Sequence, residues 1–418
     1  MINNNYICAL DIGSSKIAAS VALFNKKRLT NVFFDYAPIR GVKEGAIVDA
    51  IELVGVITKL LKSLKAKSGI NIKSLYANIS GLDIDTKHSR AIIPLVERGN
   101  KVITVSDIQR VIEQARILGS NLEEEIIHEV PSGYTIDSKS NIANPLGLYS
   151  HKLEVDLYLV YGKLSSIQSL SRVISQSGYD MKDLFFSGLA TSKVVFNEGL
   201  KEGTHIFCDI GSDITEILIF NDGVLRDMEI LNIGGDYFTK QISDVLKIPV
   251  ELAEEIKRSY GVIGDAERIG EEKEILVKKS NLYKPIKQKL VSQIITSSAQ
   301  LICSSIKESI EKRIPAFEVR DFTVVGRTIL LEGFIETMET ILSMPVKMGR
   351  VSNSEIAPFV QENDSLSGQK YLTYLTCLGM ICKSLEKGPL GVLPIQQPAK
   401  NLFVKTLNRF KEAYQEYF

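Results

Sequence analysis

The sequence has no excess of charge of either sign, few cysteines and histidines, and no long apolar run. Lys plus Arg and Asp plus Glu each number 50 in 418 residues, so the chain lacks the general basic character of a nucleic-acid-binding domain. Its five cysteines form an odd, sparse set without a Cys-x-x-Cys pair, which argues against a disulfide framework and favours a reducing compartment. The four histidines form no HxxH or HExxH pair, so a structural zinc site is not expected.

The N-terminal stretch MINNNYICALDIG has neither a basic segment nor a long apolar one. A signal peptide is therefore not expected. No stretch approaches the roughly 18 apolar residues of a bilayer-spanning helix. The length predicts about two to four domains. We expect a cytoplasmic protein unless some segment anchors it to a membrane.

Two short stretches of the chain resemble each other. CALDIGSSKIA occupies residues 8–18 and CDIGSDITEIL residues 208–218. In both, an apolar strand runs into Asp, Ile, Gly and Ser. One such stretch alone is equally well explained as a simple hairpin between buried strands, because short glycine motifs are weak signals. Two copies, each followed by a β-rich meander and a helix, favour duplicated lobes.

The first copy has the residue types of a phosphate-binding turn. Gly13 permits the positive φ of a tight turn, and the backbone N–H groups around Ser14 and Ser15 would form an anion-binding concavity. Lys16 adds a positive charge suited to phosphate. Asp11 would repel phosphate without an intervening cation, so it is predicted to contact Mg²⁺, through water.

The second copy has the same parts in Asp209, Gly211, Ser212 and Thr215. Two such turns facing each other would hold a phosphate chain from both sides.

Local patterns predict several further elements. Asp49 begins a helix, and Ser106 is a suitable N-cap for an amphipathic helix. Asn221-Asp222-Gly223 is typical of a hairpin turn. Residues 240–320 are predicted to be largely helical, and an apolar helix is predicted over Tyr371–Cys382.

These segments together resemble a known family. LDIGSSKIA resembles the first phosphate motif of the actin/Hsp70/sugar-kinase superfamily, and CDIGSDITEILIF its second. HEVPSGYTID and NPLGLYSHKLEVDLYLV are similar to the inserted subdomain of the bacterial FtsA cell-division family, and ELAEEIKRSYG to its segment beside the adenosine. The resemblance runs from about residue 6 to the C-terminus. It implies an α/β, actin-like fold of two lobes, with duplicated mixed β-sheet domains and an inserted subdomain of the FtsA type.

The resemblance also implies a division of the chain. The first lobe would contain 1–83, 163–193 and 375–390, the inserted subdomain 84–162, the second lobe 194–240 and 320–374, a helical subdomain 241–319, a proline-containing linker 385–400, and an amphipathic helix 401–418.

ATP and Mg²⁺ would then bind between the lobes. The resemblance assigns the phosphates and the metal to Asp11, Gly13, Ser14, Ser15 and Lys16 on one side and to Asp209, Gly211 and Ser212 on the other. It places Gly234 and Gly235 near the terminal phosphates, Glu254 and Lys257 at the ribose and adenine, and Gly326 at the adenine face.

Three positions depart from the family pattern. Asp213 stands where a small residue is usual, so its carboxylate is expected to weaken nucleotide binding or to make it more cation-dependent. Arg327 replaces the second of two adjacent glycines and would either stack on adenine or block it. Asp236 stands where Asn is usual. ATP binding is expected, with at most slow hydrolysis.

The C-terminal segment 401–418 has the pattern of a membrane-binding helix. Its apolar side chains fall on one stripe, with cations beside it that suit anionic lipid heads. The alternative is a helix that packs on its own domain or on a second copy. The stripe consists of Phe403, Leu407, Phe410, Tyr414 and Tyr417, and the cations are Lys405, Arg409 and Lys411.

The resemblance implies a scaffold that polymerises, binds the C-terminal tail of FtsZ and tethers it to the cytoplasmic face of the inner membrane at the division site. Later division proteins are further expected partners, and nucleic acid is not. Lys307, Lys312 and Arg313 are the candidate contacts for the FtsZ tail. Two alternatives remain: a pilus-assembly relative of FtsA without a lipid-binding tail, and a small-molecule kinase of the same fold.

Overall fold

The computed structural model describes residues 5–25, 28–95, 101–196, 199–264, 273–279, 282–363, 366 and 368–385. The predicted linker beyond residue 385 and the predicted helix 401–418 lie outside the described residues. In the part of the chain that is described, no helix is both long and apolar enough to cross a membrane.

The chain begins with three antiparallel strands, a helix and a parallel strand. The Asp49 side chain accepts a hydrogen bond from the Glu52 N–H at the start of this helix, as predicted, and left-handed Gly69 ends it. These elements are β1 (Asn5–Ile12), β2 (Lys16–Asn25), β3 (Arg28–Pro38), β4 (Val42–Lys43), β5 (Ala46–Ile47), α1 (Ala50–Ser68) and β6 (Ser74–Ile79).

The next segment is a sheet covered by one helix, with a hydrophobic core of its own. The predicted N-cap Ser106 is wrong: Thr104 is the N-cap, and its side chain and that of Asp107 bond each other's backbone N–H groups. This reciprocal capping box fixes the helix start two residues earlier. The elements are β7 (Ile84–Pro94), β8 (Lys101–Val102), α2 (Val105–Gly119), β9 (Glu124–Ile136), β10 (Lys139–Ile142), β11 (Tyr149–Ser150) and β12 (Lys152–Lys163).

The first sheet is completed by the segment that follows. This segment contains α3 (Leu164–Gln176), β13 (Asp180–Phe186) and α4 (Ser187–Val195). The strand order is β13-β6-β1-β2-β3, in which β1, β6 and β13 run parallel and β1, β2 and β3 form an antiparallel meander. We call this sheet and its helices the first lobe.

A second sheet repeats this arrangement. Its order is β16-β15-β14-β19-β20, again an antiparallel meander extended by two parallel strands. The predicted duplication is therefore confirmed, and this sheet with its helices is the second lobe. The remaining elements are β14 (Thr204–Ile210), β15 (Thr215–Asn221), β16 (Val224–Leu231), α5 (Asp236–Leu246), α6 (Val250–Tyr260), β17 (Glu274–Lys279), β18 (Leu282–Lys287), α7 (Gln288–Glu311), β19 (Val319–Val325), α8 (Phe334–Leu342), β20 (Val346–Met348), α9 (Ala357–Gln361) and α10 (Leu375–Leu385).

Two predicted elements of the second half need correction. The segment 240–320 contains the antiparallel pair β17 and β18 between its helices. The predicted helix Tyr371–Cys382 divides into a 3₁₀ turn over Lys370–Thr373 and α10. At the point of division a residue from the far end of the sequence contacts the backbone: Lys16 Nζ donates a hydrogen bond of 2.8 Å to the Thr373 carbonyl. The Asn221–Gly223 turn is confirmed, with φ of 49° at Asp222 and 75° at Gly223.

The last described helix returns to the first lobe. α10 packs against α4 and β1. Gly379 permits the close approach, because a Cβ at this position would lie 1.8 Å from the Ala190 carbonyl oxygen. The start of the predicted linker is thus attached to the first lobe.

Candidate functional site

The two repeated stretches form two hairpin turns of the same geometry. In the first, the Gly13 N–H donates to the Lys16 carbonyl, and in the second the Gly211 N–H donates to the Ile214 carbonyl, each at 3.0 Å. Both turns line one cleft between the lobes, with a volume of about 430 Å³. That volume lies within the usual range of small-molecule sites.

Each turn presents backbone donors that the described chain leaves unused. The N–H groups of Ser14, Ser15, Ser212 and Asp213 donate to no group in the described part of the protein. Successive free N–H groups in a tight turn form an anion-binding concavity. The two turns together therefore offer an anion four backbone donors from opposite lobes.

Asp11 lies at the floor of the cleft in a buried polar network. It is only 6% exposed, and its carboxylate accepts hydrogen bonds from Asn78 Nδ2 at 2.8 Å and Lys16 Nζ at 2.9 Å. Asn78 Oδ1 in turn accepts from the Ile12 N–H at 2.7 Å. Lys16 is thus held by Asp11 and by the Thr373 carbonyl, so its charge is already partly compensated.

The facing carboxylate, Asp209, is perturbed by its surroundings. Burial, followed by the charge of Asp11, raises the pKa of Asp209 to about 6, although Lys16 opposes the shift. Asp209 therefore remains largely ionised at neutral pH. Among the described residues no group of three or more His, Cys, Asp or Glu side chains is placed to hold a metal directly. A Mg²⁺ ion here would depend on carboxylates, water and phosphate oxygens.

Glu216 is a cleft residue that the sequence patterns did not single out. It lies on β15 one residue beyond Thr215, is buried, and accepts a hydrogen bond from the Ser80 hydroxyl. Burial, followed by the charge of Asp209, raises the pKa of Glu216 to about 8. The sequence feature that could have identified Glu216 is its position as the single carboxylate in TEILIF, a run that is apolar after it.

The predicted glycine pair supports the second turn. The Gly235 N–H donates to the Gly211 carbonyl at 2.9 Å, and a Cβ on Gly234 would lie 2.6 Å from the Ser212 carbonyl oxygen. Gly235 lines the cleft and Gly234 does not. A direct contact of Gly234 with a ligand stays a prediction. Asp236 begins α5 and forms an ion pair with Lys240 at 3.3 Å.

Glu254 and Lys257 form one charged cluster at the cleft wall. Lys257 Nζ pairs with Glu254 and donates to Thr239 Oγ1 at 2.8 Å and to the Gly235 carbonyl at 3.0 Å. Burial alone would raise the pKa of Glu254, but Lys257, Thr239 and Arg258 outweigh it and lower the pKa. Burial also lowers the pKa of Lys257, against the pull of Glu254. The cluster is thus an ion pair stabilised by the backbone of the glycine pair.

Gly326 closes the cleft beside an apolar wall. Its φ is 98°, and a Cβ there would lie 2.2 Å from the Ile210 carbonyl oxygen, so only glycine fits. Apolar residues from both lobes line the same cleft and suit a flat, largely apolar ligand group. They are Ile12, Ile214, Val325, Leu330, Leu331, Leu372 and Leu375.

Asp213 and Arg327, the two charged departures at the cleft, both contact the first lobe. Asp213 Oδ2 accepts a hydrogen bond of 2.8 Å from the Glu44 N–H. Arg327 Nη2 donates to Ser15 Oγ at 3.0 Å. The Asp213 carboxylate is therefore engaged by a backbone donor, and Arg327 extends toward the first turn.

The candidate partner residues lie at the end of α7 and beyond it. The Arg313 guanidinium lies 3.1 Å from Asp227 and 2.6 Å from Glu229 on β16. The side chain therefore connects α7 to the second sheet. Lys307 lies 3.9 Å from Glu311, and Lys312 lies 2.9 Å from Glu308. The eight predicted membrane contacts in the tail lie outside the described residues.

Comparison with protein families identifies the chain. The model of the cell division protein FtsA matches residues 206–375, and the model of the SHS2 domain inserted in FtsA matches residues 81–161. The two matches together span more than half of the sequence. The chain belongs to the FtsA family.

Similar FtsA proteins occur in distant bacteria. FtsA of Borreliella burgdorferi is 26% identical over 352 residues, which cover 83% of this chain and 85% of that protein. FtsA of Streptococcus pneumoniae is 27% identical over 363 residues, covering 83% of this chain and 76% of that protein.

Solved structures agree with the fold expected of an FtsA chain. The type IV pilus biogenesis complex PilM-PilN matches with a TM-score of 0.64 at 14% identity, covering 91% of this chain and 99% of that one. MreB5 of Spiroplasma citri bound to ADP matches with a TM-score of 0.51 at 13% identity, covering 92% and 99%. The predicted actin-like fold is thereby confirmed.

Proposed function

We propose that the chain binds ATP and Mg²⁺ between its two lobes and acts as a cell-division scaffold that couples FtsZ to the membrane. The observation that carries the nucleotide part is the pair of glycine turns closed by equivalent hydrogen bonds, whose residues with unused N–H groups line one cleft. A triphosphate would occupy both turns at once, so its binding would hold the lobes together.

The chemistry of the cleft fits this ligand part by part. Ser14, Ser15 and Ser212 supply hydroxyl and backbone donors to phosphate, and Gly326 with the leucine wall supplies an apolar face for the base. Glu254 and Lys257 lie on the remaining wall, where the ribose and the edge of adenine would be recognised. Gly13, Lys16, Gly211 and Gly235 shape the same cleft.

Mg²⁺ would be held through water by Asp11 and Asp209 and would neutralise the phosphate charge beside them. Asp209 carries its charge at neutral pH, and Asp11 lies across the cleft floor beside Lys16. The raised pKa of Asp209 supports the assignment, because a nearby cation would relieve the repulsion between the two carboxylates.

Hydrolysis of ATP would be slow. A general base must be ionised near the working pH and within reach of the attacking water. Glu216 has a pKa of about 8, so it is mostly protonated at neutral pH. Asp11 already accepts hydrogen bonds from Asn78 and Lys16. Neither of these two carboxyls is poised to remove a proton, and the ionised Asp209 would be engaged in holding Mg²⁺.

The scaffold part rests on family membership and on the tail pattern. The family takes the FtsZ tail near 241–319. There the exposed face of α7 is uncharged up to Ser304, with Gln293, Ser297, Gln300, Leu301 and Ser304 exposed, and Glu308 follows in the last turns. Lys307 and Lys312 remain near this face as candidate contacts. The 401–418 stripe would bind anionic lipid, and polymerisation would array the tails along the membrane.

Cosedimentation tests the proposal. The full chain with ATP and Mg²⁺ is spun with FtsZ filaments, or with vesicles containing anionic lipid, beside a variant truncated after residue 400. The full chain should pellet with both, and the truncated chain with FtsZ alone. Pelleting with neither would refute the scaffold function. Membrane localisation in cells that survives the truncation would favour the pilus-assembly alternative.

A further inference from the structure

Arg327 bridges the two phosphate turns. It begins a 3₁₀ turn, Arg327–Leu330, in which the next residue, Thr328, donates from Oγ1 to the Gly211 carbonyl at 2.9 Å. The backbone at Arg327 is therefore fixed to the second turn. Its side chain crosses to the first turn and donates to Ser15 Oγ at 3.0 Å. The guanidinium thus lies at the point where the two turns face each other.

The Arg327 guanidinium forms no ion pair in the described chain, although the negative charges of Glu254 and Asp11 act on it from a greater distance. Lys16, Lys257 and Arg258, the other described cations of the cleft, each pair with a carboxylate. No described carboxylate lies within 4.0 Å of the Arg327 guanidinium. Burial, followed by the charge of Arg258, lowers the pKa of Arg327. The protein thus holds a partly buried cation whose only hydrogen-bond partner among the described residues is a neutral hydroxyl.

A partly buried cation without a paired anion is unfavourable, and an anion between the turns would relieve this cost. The guanidinium fork matches the oxygens of phosphate and binds them with two parallel hydrogen bonds. We propose that Arg327 is a phosphate ligand of the nucleotide, so that it makes binding depend on the length of the phosphate chain rather than stacking on or blocking the base. This inference rests on the proposed binding of ATP.

The same geometry argues against the two base-directed roles. The apolar wall and Gly326 offer the face for a base, and a guanidinium that is bonded to Ser15 points to the phosphate turns instead. The glycine that the family usually has at this position would leave the phosphates without this contact.

Titration calorimetry with Mg²⁺ and ATP, ADP or AMP tests the inference on the full chain. Arg327→Gly restores the usual glycine pair, and Arg327→Gln keeps side-chain bulk without charge. Both should bind ATP about 10- to 100-fold more weakly, the range for loss of a charged hydrogen bond, and AMP nearly unchanged. Arg258→Gln is the matched control, because Arg258 lines the same cleft but pairs with Glu254. It should leave the ratio of ATP to AMP affinity unchanged.

The outcomes separate this inference from the proposed function. Equal or tighter ATP binding by both Arg327 variants would overturn the phosphate role, and a uniform gain for all three nucleotides would show that Arg327 blocks the base. If the wild type binds no nucleotide, inorganic tripolyphosphate is titrated instead. Tripolyphosphate binding that is lost in the Arg327 variants would support the inference and refute the proposed binding of ATP. If the wild type does not bind tripolyphosphate either, both proposals are refuted.

Discussion

At the scale of single residues, Glu216 makes the behaviour of the cleft depend on pH. Its carboxyl is buried beside Asp209 and bonded to Ser80. Its pKa of about 8 in the folded protein lies above the ordinary value of 4.5. The folded state therefore keeps a proton that the unfolded chain releases. This carboxyl stabilises the fold fully only below about pH 4.5, and the stabilisation is lost as the pH rises toward 8.

Glu216→Gln removes this dependence, because a carboxamide does not titrate. We expect the melting temperature of the wild type to fall relative to the variant between pH 5 and pH 8, by roughly 1 °C per kcal/mol for a chain of 418 residues. Thermal scans at several pH values measure the difference. Glu308→Gln on the exposed face of α7 is the control. A gap between wild type and Glu216→Gln that stays constant with pH would contradict the raised pKa.

The residues of the cleft were predictable to different degrees. Gly13, Ser14 and Ser15 could be placed in a turn from the sequence, because a turn between two paired strands is a local structure. The positive φ predicted for Gly13 is wrong, since its backbone lies outside the left-handed region. The partners of Asp213 and Arg327 could not, because Glu44 and Ser15 belong to the other lobe. The periodicity of apolar residues carries no information about contacts between side chains that lie so far apart in the sequence.

At the scale of elements, the start of α2 depends on which of two nearby hydroxyl residues is the N-cap. Thr104 and Ser106 are both good N-cap residues, and only the Thr104–Asp107 pair forms the reciprocal box. Thr104→Ala should raise the hydrogen-exchange rates of the first-turn amides of α2 about fivefold, for a cost of about 1 kcal/mol. Ser106→Ala, the matched control, should change them little. Equal effects of the two substitutions would show that the box does not fix the helix start.

The end of α7 gives a second test at this scale. Arg313 pairs with Asp227 and Glu229 on β16, whereas Lys312 pairs only with exposed Glu308 on its own helix. Arg313→Ala should lower the melting temperature, because it leaves two partly buried carboxylates unpaired; a loss of about 1–3 kcal/mol is typical. Lys312→Ala should cost less than 1 kcal/mol, like other surface pairs. Loss of FtsZ binding in Arg313→Ala without any change in stability would instead indicate a direct partner contact.

Long periodic elements were predicted well, and short or interrupted ones were not. The spacing of apolar residues located α1 and the strands of both meanders. The pair β17 and β18 is short and rich in lysine, so its alternation is weak. The start of α10 depends on Lys16, which binds the Thr373 carbonyl from the far end of the sequence. Such a break cannot be seen in the residues of the helix itself.

At the scale of the whole molecule, few side chains connect the two lobes in the described part of the cleft. The Asp213 carboxylate accepts a hydrogen bond from the Glu44 N–H, Arg327 donates to Ser15, and the Ser80 hydroxyl of the first lobe donates to Glu216 of the second. Outside the cleft, Arg226 of the second lobe donates to the Ser132 carbonyl of β9. The resemblance to the family leads us to expect a small residue at the position of Asp213. The carboxylate that the sequence predicted to disturb phosphate therefore has a second role, as a contact that brings the lobes together.

This contact can be tested with two closely matched variants. Asp213→Ala removes the acceptor, and Asp213→Asn keeps an acceptor oxygen without the charge. Without nucleotide, the Glu44 amide should exchange about 5- to 30-fold faster in the alanine variant, for a loss of 1–2 kcal/mol. The asparagine variant should remain close to the wild type. ATP with Mg²⁺ should slow exchange at Glu44 further in the wild type and in Asp213→Asn, because phosphates held by both turns would close the cleft over this bond. It should slow exchange little in Asp213→Ala, which has lost the acceptor of the Glu44 N–H. Unchanged exchange at Glu44 in both variants would mean that other contacts hold the lobes together. No slowing by ATP in the wild type or in Asp213→Asn would mean that nucleotide does not close the cleft.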